Sequence, residues 1–140
     1  MKIEIPERKK LVFETRIAMR WGDMDALQHL NNANYFRYIE TARVDWFGTI
    51  GCPPDAQGEG PLIVNAFCNF YHQLKYPGEV LVKLYVSDVA RATFESWATL
   101  ALSHAPEQIC AEGGGTTMWV NFAQGKAATL PDRIRRIVSD

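Results

Sequence analysis

The sequence predicts an α+β fold in which a curled antiparallel sheet wraps around one long central helix. One segment, 32–47, carries the helical period and is apolar enough to be largely buried. Segments with the alternation of strands surround it, one before and four after. The later strands are joined mainly by turn-length connections, which favours antiparallel pairing between neighbours. A ferredoxin-like arrangement suits the pattern less well, because it would want a second long helix between strands.

The first strand is expected over Leu11–Trp21, with Leu11, Phe13, Ile17, Met19 and Trp21 on one face and Glu14, Arg16 and Arg20 on the other. The turn-like GDMDA follows. In the helix, Tyr35, Ile39, Ala42 and Trp46 fall on a single stripe. Asn31 or Asn32 can cap its start, and Gly48 suits a left-handed close. Gly48–Pro61 has the composition of a loop. A strand is then expected over Leu62–Leu74, with Leu62, Val64, Ala66, Cys68, Phe70 and Leu74 on one side. After the KYPGE turn, Val80, Val82, Leu84 and Val86 alternate with Lys83 and Ser87. A break at DVAR leads to Phe94, Ala98, Leu100 and Leu102, and SHAPEQ turns the chain into a last strand, Ile109–Phe122. Three glycines, 113–115, interrupt that strand, as a bulge or a close backbone approach would require. The end, LPDRIRRIVSD, is expected to be a short helix with Ile134, Ile137 and Val138 inward.

At 140 residues the chain is expected to form one domain, 1–140. A formal net charge of -1 gives no global attraction to nucleic acid or an anionic membrane. The N-terminus lacks an apolar signal core, and no stretch is apolar for long enough to cross a bilayer. Cys52, Cys68 and Cys110 are three cysteines without CxxC spacing, as expected of free thiols in a reducing cytoplasm. His72 and His104 have no ligand-like spacing with them, so no metal site is expected.

The chemistry concentrates in RWGDMDALQHLNNANYFRYIETAR, 20–43. Asp25 lies one short loop ahead of a helix start, where unpaired amides and the helix dipole can hold an oxyanion. A carboxylate there can attack a reactive carbonyl or deprotonate the water that does so. That is a minimal kit for hydrolysing an activated ester or thioester. Capping and turn formation alone also favour Asp and Asn at these positions.

The segment resembles the hotdog-fold acyl-CoA thioesterases of the 4-hydroxybenzoyl-CoA thioesterase-like family. The family shows an aromatic residue, a G-D-x-D turn, a segment like GHVNN and an aromatic-rich helix ending near E-x-A-R, and the likeness runs over nearly the whole chain. The resemblance implies hydrolysis of an acyl-CoA to a carboxylic acid and CoA, without a cofactor. It puts the catalytic aspartate at Asp25 and the oxyanion donor at the main-chain N–H of about Asn32. It also implies a homodimer or homotetramer, with sites at the subunit boundary. Where relatives have glycine before the histidine, this chain has Gln28, which would be strained if the position needs positive φ.

His29 and Asn31 are expected to support the site. Glu40 is a back-up carboxylate whose structural alternative is an ion pair with Arg37 or Arg43. Asp23 is expected to tighten the turn by bonding its own backbone. Arg91 matches the place where relatives carry residues that contact CoA phosphates, and Lys126 and Arg133, Arg135 and Arg136 are further cations. Trp21, Tyr35, Trp46, Phe67, Phe70 and Trp97 either line an acyl pocket or fill core. Two other functions compete: a hotdog hydratase-dehydratase using a histidine–carboxylate pair, and an acyl-CoA-binding oligomer without turnover.

Overall fold

The computed structural model describes residues 2–52, 55 and 57–140. Its elements are β1 (Lys10–Ala18), α1 (Asn32–Thr49), β2 (Glu59–Ile63), β3 (Phe67–Phe70), β4 (Glu79–Ser87), β5 (Thr93–Leu102), β6 (Ala111–Asn121), β7 (Lys126–Ala127) and α2 (Asp132–Val138). All the strands join one antiparallel sheet in the order β1-β4-β5-β6-β2, with β3 and β7 also paired to β6. The strongly curled sheet wraps α1, the hotdog arrangement the resemblance implies.

Alternation explains the core. Val80, Val82, Leu84 and Val86 of β4 and Phe94, Ala98 and Leu100 of β5 are buried, as are Tyr35, Ile39, Ala42 and Trp46 of α1. Each large aliphatic chain removed from water in this way contributes about 1.5–3 kcal/mol. Ala42 is 0% exposed, and its small side chain packs within the cluster formed by helix and sheet. Ile134 and Val138 of α2 close the same cluster.

Several expectations need correction. The first strand ends at Ala18, and a register shift between Leu11 and Phe13 turns Leu11 outward. Trp21 falls in a 3-10 turn, Trp21–Asp23, and is 75% exposed. Gly48 does not close α1: the Ile50 and Cys52 N–H groups still bond back to Trp46 and Phe47, and Gly51 takes the left-handed turn at φ 75. Within the expected loop after α1, Pro53, Pro54 and Ala56 lie outside the described residues, and β2 already begins at Glu59.

The expected strand Leu62–Leu74 is instead β2 and β3 with a break at 64–66. Its presumed inner face is largely outward, with Leu62, Val64 and Phe70 exposed. The glycines of β6 account for the break. A Cβ on Gly113 would meet the Phe67 carbonyl at 2.7 Å, and one on Gly114 would meet the Ser96 carbonyl at 2.6 Å. Here the strands approach too closely for side chains, and the Asn65 Oδ1 replaces a ladder carbonyl by accepting from the Thr116 N–H at 2.9 Å. The short β7 was not expected; it returns on Val120 and Asn121 through a turn in which Gly125 has φ 65.

Candidate functional site

The front loop, 20–31, is fastened to α1 through its first acid. The Tyr38 hydroxyl donates to Asp23 Oδ2 at 2.6 Å, and Arg20 Nε approaches the same oxygen at 3.4 Å. The Asp23 carbonyl accepts from the Asn31 N–H at 3.0 Å and from Asn34 Nδ2 at 2.9 Å. Asp23 therefore ties the loop to the helix rather than bonding its own turn. Burial opposes its ionisation, but the Tyr38 hydrogen bond and the Arg20 charge outweigh it and hold the carboxyl below the usual aspartate value. Burial first, then the Asp23 carboxylate, pushes the Tyr38 hydroxyl above its usual range, so it stays a donor.

Asp25 is held differently. Its Oδ1 accepts from the Leu27 N–H at 2.8 Å and the His29 N–H at 3.3 Å. Among the described residues, no hydrogen bond engages Oδ2. The Asp25 N–H donates to the His29 carbonyl, the Gln28 N–H donates to the Asp25 carbonyl, and a Met24–Leu30 bridge closes the loop into a small ring. That ring needs a left-handed residue, and Gln28 supplies it at φ 64. The strain expected from a non-glycine residue there is present.

At the helix start, Asn31 is the cap: its Oδ1 accepts from the Ala33 N–H at 2.9 Å and its carbonyl from the Asn34 N–H at 2.8 Å. Asn32 is the first helical residue, and no hydrogen bond among the described residues uses its main-chain N–H. Chiefly burial raises the Tyr35 hydroxyl, with the Asp25 charge among the lesser causes.

A cavity of about 250 Å³ lies between one flank of α1 and the sheet. Ala33, Phe36, Arg37, Glu40 and Arg43 form its helical wall, a stripe beginning in the first turn. Phe67, Tyr85, Ser96 and Trp97 lie opposite, beside Gly114 and Gly115. Asp25 and Asn32 do not line it; Ala33 is the nearest point of the wall along the chain. Glu40 accepts from Arg37 at 3.0 Å, the ion pair expected as its structural role.

Residues 19–138 match the thioesterase-like superfamily. The chain belongs to that family. It is 32% identical to the PA2801 protein of Pseudomonas aeruginosa, "a putative Thioesterase", with a TM-score of 0.89 over 93% of this chain and 100% of that one. A "Putative esterase" of Aquifex aeolicus is 26% identical over 131 residues, 91% of this chain and 98% of its own. The DHNA-CoA thioesterase of Staphylococcus aureus shares the fold, at 20% identity and a TM-score of 0.74 over 84% of this chain and 79% of that one.

Within this thioesterase-like protein, the structure gathers Asp25, His29, Asn31 and Asn32 around one loop and helix start. His29 contributes main-chain groups only; no hydrogen bond uses its imidazole among the described residues. Arg91 lies elsewhere: its guanidinium donates to Thr129 Oγ1 at 2.9 Å, and its carbonyl accepts from Arg135. Arg133 bonds the Ile50 carbonyl at the end of α1, where a cation suits the dipole. Of the aromatics, Trp46, Phe67 and Trp97 line the cavity, Tyr35 is core, and Trp21 is exposed. Burial pushes the Cys68 thiol up to about 12 and raises Cys110, so both stay protonated. No group of three or more potential metal ligands occurs among the described residues, and no described helix is long and apolar enough to cross a membrane.

Arg43 lines the cavity, a position not expected from the sequence. Burial lowers its guanidinium from the usual value, with Glu40 opposing, and no hydrogen bond or salt bridge engages it among the described residues. The signal was available: Ala33, Phe36, Arg37, Glu40 and Arg43 recur at helical spacing on the stripe flanking the core-facing one.

Proposed function

We propose that the protein hydrolyses acyl-CoA thioesters at the junction of the front loop and α1. One observation carries the reading. Among the described residues, hydrogen bonds anchor Asp25 through a single carboxylate oxygen and engage neither its other oxygen nor the Asn32 amide, at a helix whose cap satisfies the Ala33 and Asn34 amides. The free amide, aided by the dipole, stabilises the oxyanion that develops on the thioester carbonyl; such a donor contributes roughly 3 kcal/mol. Asp25 Oδ2 either attacks that carbonyl or takes a proton from the attacking water. The sulfur leaves as the CoA thiol, and water supplies the second oxygen of the product acid. Membership of a thioesterase-like family supports the reaction, and the CoA ester named for the Staphylococcus neighbour supports the substrate class.

The site is completed by a second copy of the chain. Phe36 and Val44 on α1 and Leu62 and Val64 on and just after the edge strand β2 are exposed apolar residues, and Phe36 lines the cavity itself. A partner covering them closes the wall between the cavity and Asp25, as a homodimer or a homotetramer. Arg91, exposed on the connection between β4 and β5, is the proposed contact for CoA phosphates. Thiol release measured over short, long and aromatic acyl-CoAs, alongside light scattering, tests the proposal. Release from at least one of them by a dimer or tetramer is expected. A gain or loss of conjugated double bond with no thiol release would move the protein to the hydratases.

A further inference from the structure

Resting on that reading, we infer that the cavity along α1 takes a short acyl chain that ends in a carboxylate, bound by Arg43. Among the described residues, three charged side chains line the cavity: Arg37, Glu40 and Arg43. The first two form a 3.0 Å ion pair, so the lining keeps a net positive charge, and no hydrogen bond or salt bridge among the described residues engages Arg43. A neutral chain filling this space would displace water from a half-buried guanidinium and give it nothing in return. A terminal carboxylate matches the planar fork of Arg and restores neutrality.

Length follows from the helix. Arg43 lies eleven residues beyond Asn32 on α1, or roughly 16 Å at the helical rise. Helical side chains lean back over the preceding turn, which leaves about 10 Å between the Asn32 amide and the guanidinium. Aromatic walls from Phe67 and Trp97 suit the apolar middle of such a chain.

Calorimetric titration of the unaltered protein tests this with thioether CoA analogues, which bind without turnover. Three chains of glutaryl length are compared, ending in a carboxylate, its methyl ester or a methyl group. The carboxylate is expected to bind about 10- to 100-fold more tightly than the other two. Arg43→Gln should abolish that preference and Arg43→Lys should retain part of it. Equal binding of the three chains overturns the inference, and so does an equal loss for all three in Arg43→Gln, which would put a CoA phosphate on Arg43. The thioesterase reading fails separately: glutaryl-CoA would release no thiol while the carboxylate preference persists.

Discussion

Two acids stand two residues apart in the turn GDMD, and the halves of the front loop built on them behave oppositely. In the inner half, Asp23 gives its carboxylate to Tyr38 and Arg20 and its carbonyl to Asn31 and Asn34, with a side chain 14% exposed. In the outer half, hydrogen bonds among the described residues anchor Asp25 by one oxygen, in a ring that accepts a strained Gln28. A carboxylate that is consumed by hydrogen bonds fixes geometry; one left half-satisfied has a lone pair for chemistry. In the proposed mechanism, the inner half holds the loop on the helix so that the outer half can present its acid to the thioester.

This contrast can be broken by substitution. The largest expected effect is on Asp25→Asn, which should lower thiol release by about 100-fold or more while leaving the thermal midpoint within error, because the amide oxygen still accepts from Leu27 and His29. Full activity in that variant would reduce Asp25 to a turn residue. Tyr38→Phe should act on stability, costing about 2 kcal/mol at neutral pH by urea unfolding. The depressed Asp23 value sets the sign of its pH dependence. The contribution is complete above the unfolded aspartate value near 3.8 and is lost as pH falls through the lower folded value. The gap between Tyr38→Phe and the unaltered protein should therefore narrow in acid. Gln28→Gly should relieve the left-handed strain and stabilise by roughly 1 kcal/mol, with little change in turnover; destabilisation there would mean that the Gln28 side chain holds the ring. Smallest is Arg91→Ala, expected to raise KM about threefold at constant kcat, as an exposed charge contact does.

The elements were legible where one physical rule dominates. Burial on one face fixed β4, β5 and α1, and the helix cap was visible as Asn31-Asn32, though only the structure shows that Asn31 is the residue that caps. Leu62–Leu74 misled because its apolar residues suggested an inward face, whereas close packing on glycines 113–115 breaks the strand and turns Leu62, Val64 and Phe70 outward. The sense of Gln28 was readable from its departure from glycine, and its φ of 64 agrees. The roles of Asp23 and Arg43 were not readable, because they depend on contacts across the fold: Tyr38 is fifteen residues from Asp23, and the cavity beside Arg43 exists only once β3 and β5 are in place.

The most direct measurement is a crystal structure with a ketone analogue of an acyl-CoA, in which a methylene separates sulfur from carbonyl. The carbonyl oxygen should sit about 3 Å from the Asn32 main-chain nitrogen, with Asp25 Oδ2 within roughly 3.5 Å of the carbonyl carbon or one water away from it. A carbonyl bound elsewhere, with Asp25 Oδ2 facing bulk solvent and the Asn32 amide unoccupied, would contradict the account.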